Sequence, residues 1–368
     1  MIKNIVLTNF RNFSEYSLHD LPQITVISGV NGIGKTNLVE AISLASGSTW
    51  HRYGKITEVV KWGEKFAAID ILTNSNDPTK IRCVVQANRA RFLVNTVEAK
   101  QSLVRDKITT LTFSPSEVNL FRGDPATRRK FLDALLFFIS PEYANRWSTY
   151  HRALKQRNAA LRHQQFSQLP IWEADLSQSA AVLLIGRNWL IRALETLYAL
   201  EGTFNYLASP RKVLPLLPES GTLEENLASH AREIEDFLRD KWEELREKEK
   251  MVGFTLMGPQ RDDWGMLVTF PNRTDRPIDI GTYASRGQQR MSVINVQFAA
   301  LDLLERYCLN KPIWLLDDVF SELDTEHQKQ VVSVASRYQT FITTTNAQYE
   351  GVNSVLEKND TQLIELPQ

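Results

Sequence analysis

Ile24-Thr-Val-Ile-Ser28, Gly29-Val30-Asn31-Gly32-Ile33-Gly34-Lys35-Thr36 and Asn37-Leu-Val-Glu-Ala-Ile-Ser-Leu-Ala45 run consecutively near the start of the chain. The first segment is a β-branched apolar run, and the last has the apolar spacing of a helix. Between them stands a complete G-x-x-x-x-G-K-[ST] phosphate loop in the strand, loop, helix context that the motif needs. Its glycines allow successive backbone N–H groups to turn toward phosphate oxygens, and the helix N-terminus adds partial positive charge. Lys35 is expected to reach the β and γ oxygens of a nucleoside triphosphate, and Thr36 to ligate Mg²⁺.

Much later in the chain, Ile313-Trp-Leu-Leu-Asp317-Asp318 reads as a buried strand ending in two carboxylates. Asp317 is the expected Mg²⁺ ligand. Asp318 is the expected residue that orients or deprotonates water, so Lys35 and Asp318 are the expected catalytic residues. Upstream, Ala284-Ser285-Arg286-Gly287-Gln288-Gln289 opens a helical stretch and resembles the S-x-G-Q signature of ABC-type ATPases. Ser285 can cap that helix, Gly287 allows a phosphate to come close, and Gln288 is a further expected nucleotide-binding residue of the motif. A γ-phosphate held by Lys35 has little use for a second cradle in the same subunit, so a partner subunit's ATP is the natural ligand. Val319-Phe-Ser321-Glu-Leu-Asp324 resembles the D-loop of the same enzymes, which implies that Asp324 lies at a dimer interface. ABC-type enzymes usually carry Glu where Asp318 stands. An Asp reaches about one methylene less, and water positioning tolerates little misplacement, so slow hydrolysis is expected.

The 368 residues carry 43 Lys plus Arg and 43 Asp plus Glu, so no overall positive field favours a polyanion. Nucleic-acid contact would need a local patch. The two cysteines, Cys83 and Cys308, are far apart and outside any C-x-x-C spacing, which points to a reducing compartment without structural zinc. No signal-peptide core and no apolar run near the roughly 18 residues of a membrane span occur, so a cytoplasmic location without membrane contact is expected.

The expected fold is α/β: an ABC-type phosphate-loop ATPase head with a mixed, β-rich sheet and an inserted helical lobe. Residues 1–115 would form the N-terminal half of the ATPase lobe, 116–250 the helical insertion, and 251–368 the returning half with signature and D-loop. Strands are expected at residues 2–7, 24–28, 66–72, 81–86 and 92–94, then at 254–257 and 266–270. Helical spacing runs from about Thr127 to Leu161 and from Ile171 to Leu207. Leu223, Leu227, Ala231, Ile234, Leu238 and Leu245 form a seam three to seven residues apart, a short coiled-coil-like arm. Arg122, Arg128, Arg129 and Lys130, with Arg152, Lys155, Arg157 and Arg162, form a basic stripe of the kind that meets phosphates.

Asn9-Phe-Arg11-Asn12-Phe, Asn31 in the phosphate loop, Phe113-Ser-Pro-Ser-Glu-Val-Asn, Arg128-Arg-Lys-Phe-Leu-Asp133, Gly258-Pro-Gln-Arg-Asp-Asp263 and the signature and D-loop segments together resemble the RecF family, bacterial recombination-repair ATPases related to SMC proteins. The likeness runs nearly end to end. It implies ATP-dependent homodimerisation, slow ATP hydrolysis, sequence-independent binding of gapped DNA or single-strand/double-strand junctions, and cooperation with RecO and RecR in loading RecA. It also implies that Arg11 meets nucleotide phosphate. Other SMC-like heads and transporter ATPases share the phosphate loop and signature. A transporter's helical domain ordinarily sits immediately before the signature, whereas here a β-rich stretch intervenes. Gln260 stands where the family usually has His. No Gln occupies the usual Q-loop position near residues 113–117, and Phe341-Ile-Thr-Thr-Thr345-Asn346 stands where ABC enzymes place a switch His.

Overall fold

The computed structural model describes residues 1–48, 55–74, 78–114, 117, 120–198, 202–207, 211–269, 277–345, 350–357 and 360–366. Pro115, Ser116, Val118, Asn119, Phe270 and Asn346, singled out above, lie outside them. The chain divides into two units: residues 1–119 with 286–368, and residues 120–285.

The first unit opens with β1 (Ile2–Phe10), β2 (Phe13–Leu18) and β3 (Ile24–Ser28), then α1 (Lys35–Ala45), β4 (Phe66–Thr73), β5 (Lys80–Gln86), β6 (Arg89–Val94), β7 (Val97–Ala99), α2 (Gln101–Arg105) and β8 (Thr110–Phe113). The second unit contains α3 (Pro125–Ile139), α4 (Pro141–Arg162), α5 (Leu169–Leu197), β9 (Gly202–Leu207), α6 (Leu223–Val252), β10 (Asp263–Val268), β11 (Ile278–Asp279) and α7 (Ile280–Tyr283). The chain returns to the first unit with α8 (Arg286–Tyr307), β12 (Ile313–Asp317), α9 (Thr325–Ala335), β13 (Gln339–Thr344), α10 (Glu350–Leu356) and β14 (Thr361–Glu365).

Two sheets build the first unit. An antiparallel sheet of order β2-β1-β4-β5-β6-β7 shows an imperfect alternation of buried and exposed side chains along β1. A parallel sheet of order β14-β3-β13-β12-β8 has wholly buried central strands; β12 reads as an apolar run up to Asp317, whereas β13 buries Gln339, Thr340, Thr343 and Thr344 beside Phe341 and Ile342. Leu7, Phe10, Ile42, Ile69, Val85, Leu315 and Phe341 belong to one core cluster that draws on both sheets and α1. Register sets the functional edge. Asp317 pairs with Thr343, and Thr344 with Ser28, so β3, β12 and β13 end side by side. Open parallel sheets bind ligands outside the carboxyl ends of their strands.

The second unit is a helical layer with a three-stranded sheet, β11-β10-β9. α6 begins at a capping box: Thr222 Oγ1 accepts the Glu225 N–H, and Glu225 accepts the Thr222 N–H. It ends at Gly253, whose φ of 75° suits glycine. The apolar seam read from the sequence packs along α5, burying Leu223, Ile234, Leu238 and Trp242. Trp264 on β10 packs against Phe121, Phe131 and Phe204.

The structure differs from the sequence reading at three places. Residues 251–285, expected in the returning half, cluster with the helical unit, where β10 (Asp263–Val268) pairs with β9 (Gly202–Leu207) along its whole length. Gly202–Leu207, read as helix, is that partner strand. Phe254–Met257, read as a strand, forms a bend whose Thr255 N–H is taken by Asn158 Oδ1 at 2.8 Å, not by a sheet.

Arg157 lies at the centre of the helical unit with no exposed side-chain surface, 2.8 Å from Glu173 and 2.7 Å from the equally buried Glu249. Removing one member of such a group strands charge in a low-dielectric interior, which costs about 3–5 kcal/mol. Arg157→Met is expected to lower stability by about that amount in urea unfolding, and a loss below about 1 kcal/mol would contradict the role.

Candidate nucleotide site

The phosphate loop joins the end of β3 to the start of α1, as its strand-loop-helix sequence predicts. Gly34 caps α1 with φ 116°. A Cβ there would stand 2.7 Å from Asn12 Nδ2 and 2.9 Å from Phe13 Cζ, so backbone conformation and space both require glycine. Asn12 Nδ2 donates to the Ile33 carbonyl at 2.7 Å, and Asn37 Nδ2 donates to Asn12 Oδ1 at 2.8 Å. The β1–β2 turn thereby braces the loop from outside.

A cleft of about 290 Å³ opens over the strand ends, lined by Asn31, Gly32, Gly34, Lys35, Thr36, Asn37, Asp317, Asp318, Thr343 and Thr345. Lys35 is 7% exposed, and its Nζ donates to the carbonyls of Gly29 at 2.6 Å and Val30 at 2.9 Å. Burial lowers its pKa, while Asp318 and Asp317 oppose that shift. The ammonium therefore sits desolvated, where its attraction to an anion is least screened. Gly29, Val30 and Ile33 shape the loop through their backbones without lining the cleft.

Thr36 and Asp317, far apart in sequence, meet here. Thr36 Oγ1 donates to Asp317 Oδ1 at 2.7 Å, and Thr343 Oγ1 donates to the same oxygen at 2.9 Å. A hydroxyl beside a nearly buried carboxylate is the donor set that Mg²⁺ uses with phosphate oxygens, since this ion prefers a few protein oxygens and completes its shell with substrate and water. These residues therefore fit Mg²⁺.

Asp318 follows the strand in a left-handed conformation, φ 51° and ψ 32°. Its N–H donates to the Thr343 carbonyl at 3.1 Å and to Thr343 Oγ1 at 2.9 Å, which fixes the bend. Its Oδ1 is buried and has no hydrogen-bond partner among the described residues. Burial raises its pKa, hydrogen bonds from Ser321 and Thr345 oppose this, Asp317 adds to it and Lys35 opposes it. Strain at a residue that also holds an unmet acceptor marks a site built to receive a donor.

Other expected site residues lie elsewhere. Arg11 does not line the cleft. Its Nε and Nη2 each donate at 2.9 Å to the buried Glu40 carboxylate of α1, and its Nη1 donates to the Glu58 carbonyl at 2.8 Å. Its guanidinium is thus already committed to neutralising a buried acid. Asp324 caps α9, accepting the His327 N–H at 3.0 Å, and is exposed. Ser285 and Gly287 are exposed and Gln288 is half-buried; none of the three lines this cleft. A Cβ at Gly287 would meet nothing within 4 Å.

The basic stripe is corrected in part. Arg128 forms a bidentate pair with Asp263 at 2.6 and 2.9 Å, Arg129 donates to the Asp262 carbonyl, and Arg157 is internal. Those three guanidinium groups hold the helical unit together. Arg122, Lys130, Arg152, Lys155 and Arg162 remain exposed. Gln260, at the family's His position, accepts a hydrogen bond from the Tyr150 hydroxyl. Asn12, Asn37 and Thr343 are site residues that motif reading missed; of these only Asn12 carried a signal, as part of the Asn9–Phe13 segment. Among the described residues no helix is long and apolar enough to cross a membrane.

Comparison with known proteins agrees with this geometry. Residues 1–359 match the family model for the RecF/RecN/SMC N-terminal domain. The DNA replication and repair protein RecF of Bacillus pumilus (strain SAFR-032) is 32% identical over 361 residues, covering 96% of this chain and 94% of that protein. RecF of Bacillus subtilis (strain 168) is 32% identical over 354 residues, covering 94% and 93%. Among solved structures, the recombination mediator protein RecF with ATPrS superposes with a TM-score of 0.82 at 25% identity, covering 100% of this chain and 96% of that one. The RecF-ATP structure gives 0.79 at 25% identity, covering 94% and 92%. A phosphate loop, an acidic strand end and a signature segment on this fold, together with matches along nearly the whole chain, place it: the chain belongs to the RecF family of DNA replication and repair proteins.

Proposed function

We propose that the protein is an ATP-driven DNA clamp of recombinational repair that dimerises on ATP at single-strand gaps or junctions, assists RecO and RecR in loading RecA, and hydrolyses ATP slowly to let go. One observation carries the nucleotide part of this reading: Lys35, the Thr36–Asp317 pair and Asp318 converge on one cleft at the carboxyl ends of parallel strands. The loop N–H groups and Lys35 bind the triphosphate. Mg²⁺, held by Thr36 and Asp317, would neutralise phosphate oxygens as charge shifts to the leaving group. Asp318, whose side chain lines the cleft, accepts the proton of the attacking water, and the Thr343 contacts keep it aimed.

The dimer part rests on the signature and on family resemblance. Ser285 and Gly287 are solvent-exposed at the start of α8, with open space around Gly287 for an incoming phosphate. Titrated gapped duplex tests the DNA part. With no net charge, the chain needs a surface assembled from two subunits, so tight binding should require ATP. With about four phosphates contacted, affinity should fall about 10²-fold between about 50 and about 200 mM salt. Salt-insensitive binding without nucleotide would refute the clamp.

A further inference from the structure

The helical unit carries a surface that nucleotide chemistry leaves unused. Where α6 ends, Met251, Val252 and Phe254 stand 80%, 41% and 42% exposed. The turn that presents them is held firmly. Leu256 N–H donates to Glu249 at 2.7 Å, and the Thr255 hydroxyl lies between Arg157 and Asn158, at 2.9 and 2.8 Å. Clustered apolar side chains on a braced turn mark an interaction site more often than a solvated one.

Beside this turn α4 completes a groove of about 430 Å³, lined by His151, Leu154, Lys155, Asn158 and Arg162 together with residues 252–254. Among the described residues no carboxylate lines it. Lys155 and Arg162 make no ion pair among the described residues, and Arg152 lies exposed on the same helix. The guanidinium of Arg261 sits 5.4 Å from the centre of the Phe254 ring. Burial lowers the pKa of His151, so its ring adds no charge at neutral pH.

We propose that this groove docks an acidic peptide segment of a partner protein, which inserts one large apolar side chain between Leu154, Val252 and Phe254 and sets its carboxylates on Lys155 and Arg162. Charge complementarity selects an acidic ligand, and the lining selects peptide over nucleic acid. A single strand would need free aromatic faces for its bases. Here Arg261 lies over one face of Phe254, and His151 packs against Trp147 and Tyr150, at 4.1 and 5.5 Å between ring centres, so the lining offers no run of free ring faces for successive bases. The braced turn makes the groove preformed, so the ordering cost falls on the peptide alone.

The test uses the full chain and a fluorescein-labelled acidic hexapeptide with one Leu and one Phe among Asp and Glu residues, followed by anisotropy. Saturable binding is expected, weakened at least about tenfold by Lys155→Glu combined with Arg162→Glu, and about as much by Phe254→Ser, as for loss of an anchoring side chain. An ATP titration of each variant checks that it is folded. If a variant unfolds, a benzophenone-bearing form of the peptide is cross-linked to the unaltered chain; adducts within residues 151–162 or 251–254 support the groove, and adducts elsewhere overturn it. Equal binding of a peptide with Ala for Leu and Phe, indifference to the substitutions, or no binding at about millimolar peptide overturns the proposal. So does an oligo-dT strand that competes with the peptide and is weakened by the same substitutions, which would make the groove a nucleic-acid site.

Discussion

Lys35→Met is expected to abolish ATP binding at concentrations that saturate the unaltered chain. The ammonium is buried, donates to the Gly29 and Val30 carbonyls, and stands near Asp317 and Asp318. Replacing it removes charge-assisted hydrogen bonds to phosphate worth about 1.5–3 kcal/mol each. It also leaves the two carboxylates without their cation, so an incoming polyanion meets uncompensated negative charge. The combined loss is at least about 10²-fold in affinity. Lys35→Arg keeps charge but not the compact point geometry, so weakened binding with poor hydrolysis is expected. A fluorescent-nucleotide titration in which Lys35→Met matches the unaltered chain would show that the loop does not hold the triphosphate.

Asp318→Asn should separate binding from turnover. Asn tolerates the left-handed backbone at φ 51° almost as well as Asp, and the N–H contacts to Thr343 survive, so the local structure stays intact. Lys35, Thr36 and Asp317, the residues proposed to hold ATP and Mg²⁺, are unaltered. The lost function is proton acceptance by the carboxylate, which typically contributes ~10²–10⁴-fold. Single-turnover hydrolysis slower by about that factor, with unchanged nucleotide affinity, is the expected result. An unaltered rate would move the base elsewhere.

How far the sequence carried the reading depended on whether the information was local. The phosphate loop and the Ile313–Asp317 strand declare themselves because glycine placement, a lysine and an apolar run are short-range features, and the parallel register brings them together as read. The pairing of Thr36 with Asp317 followed from their types. The role of Thr343 did not, since a threonine in a buried strand carries no signal until its neighbour is known. Helical spacing was over-extended through Gly202–Leu207 because Phe204 and Leu207 suit either period, and the strand forms only against β10. The basic stripe misled for a similar reason. Arg128 and Arg157 look like solvated helix charges until Asp263, Glu173 and Glu249 arrive from other elements to bury them. Arg11 belongs with these, since its partner Glu40 lies on a different element.

The central claim is that each ATP is held by two subunits, and mixing two defective chains tests it most directly. Ser285→Arg leaves the cleft of its own subunit untouched, because Ser285 is exposed and does not line it, but sets a bulky cation where a partner's γ-phosphate would enter. Alone, this variant should bind ATP and fail to dimerise, hydrolyse or hold gapped DNA. Lys35→Met alone should fail for want of nucleotide. Mixed, each supplies the half that the other lacks, so a heterodimer has one intact composite site and one doubly damaged one. The account predicts partial recovery of ATP hydrolysis in the mixture, with neither variant active by itself. Normal ATP-dependent dimerisation of Ser285→Arg alone would contradict it, leaving the start of α8 an ordinary helix end and the nucleotide the business of one subunit.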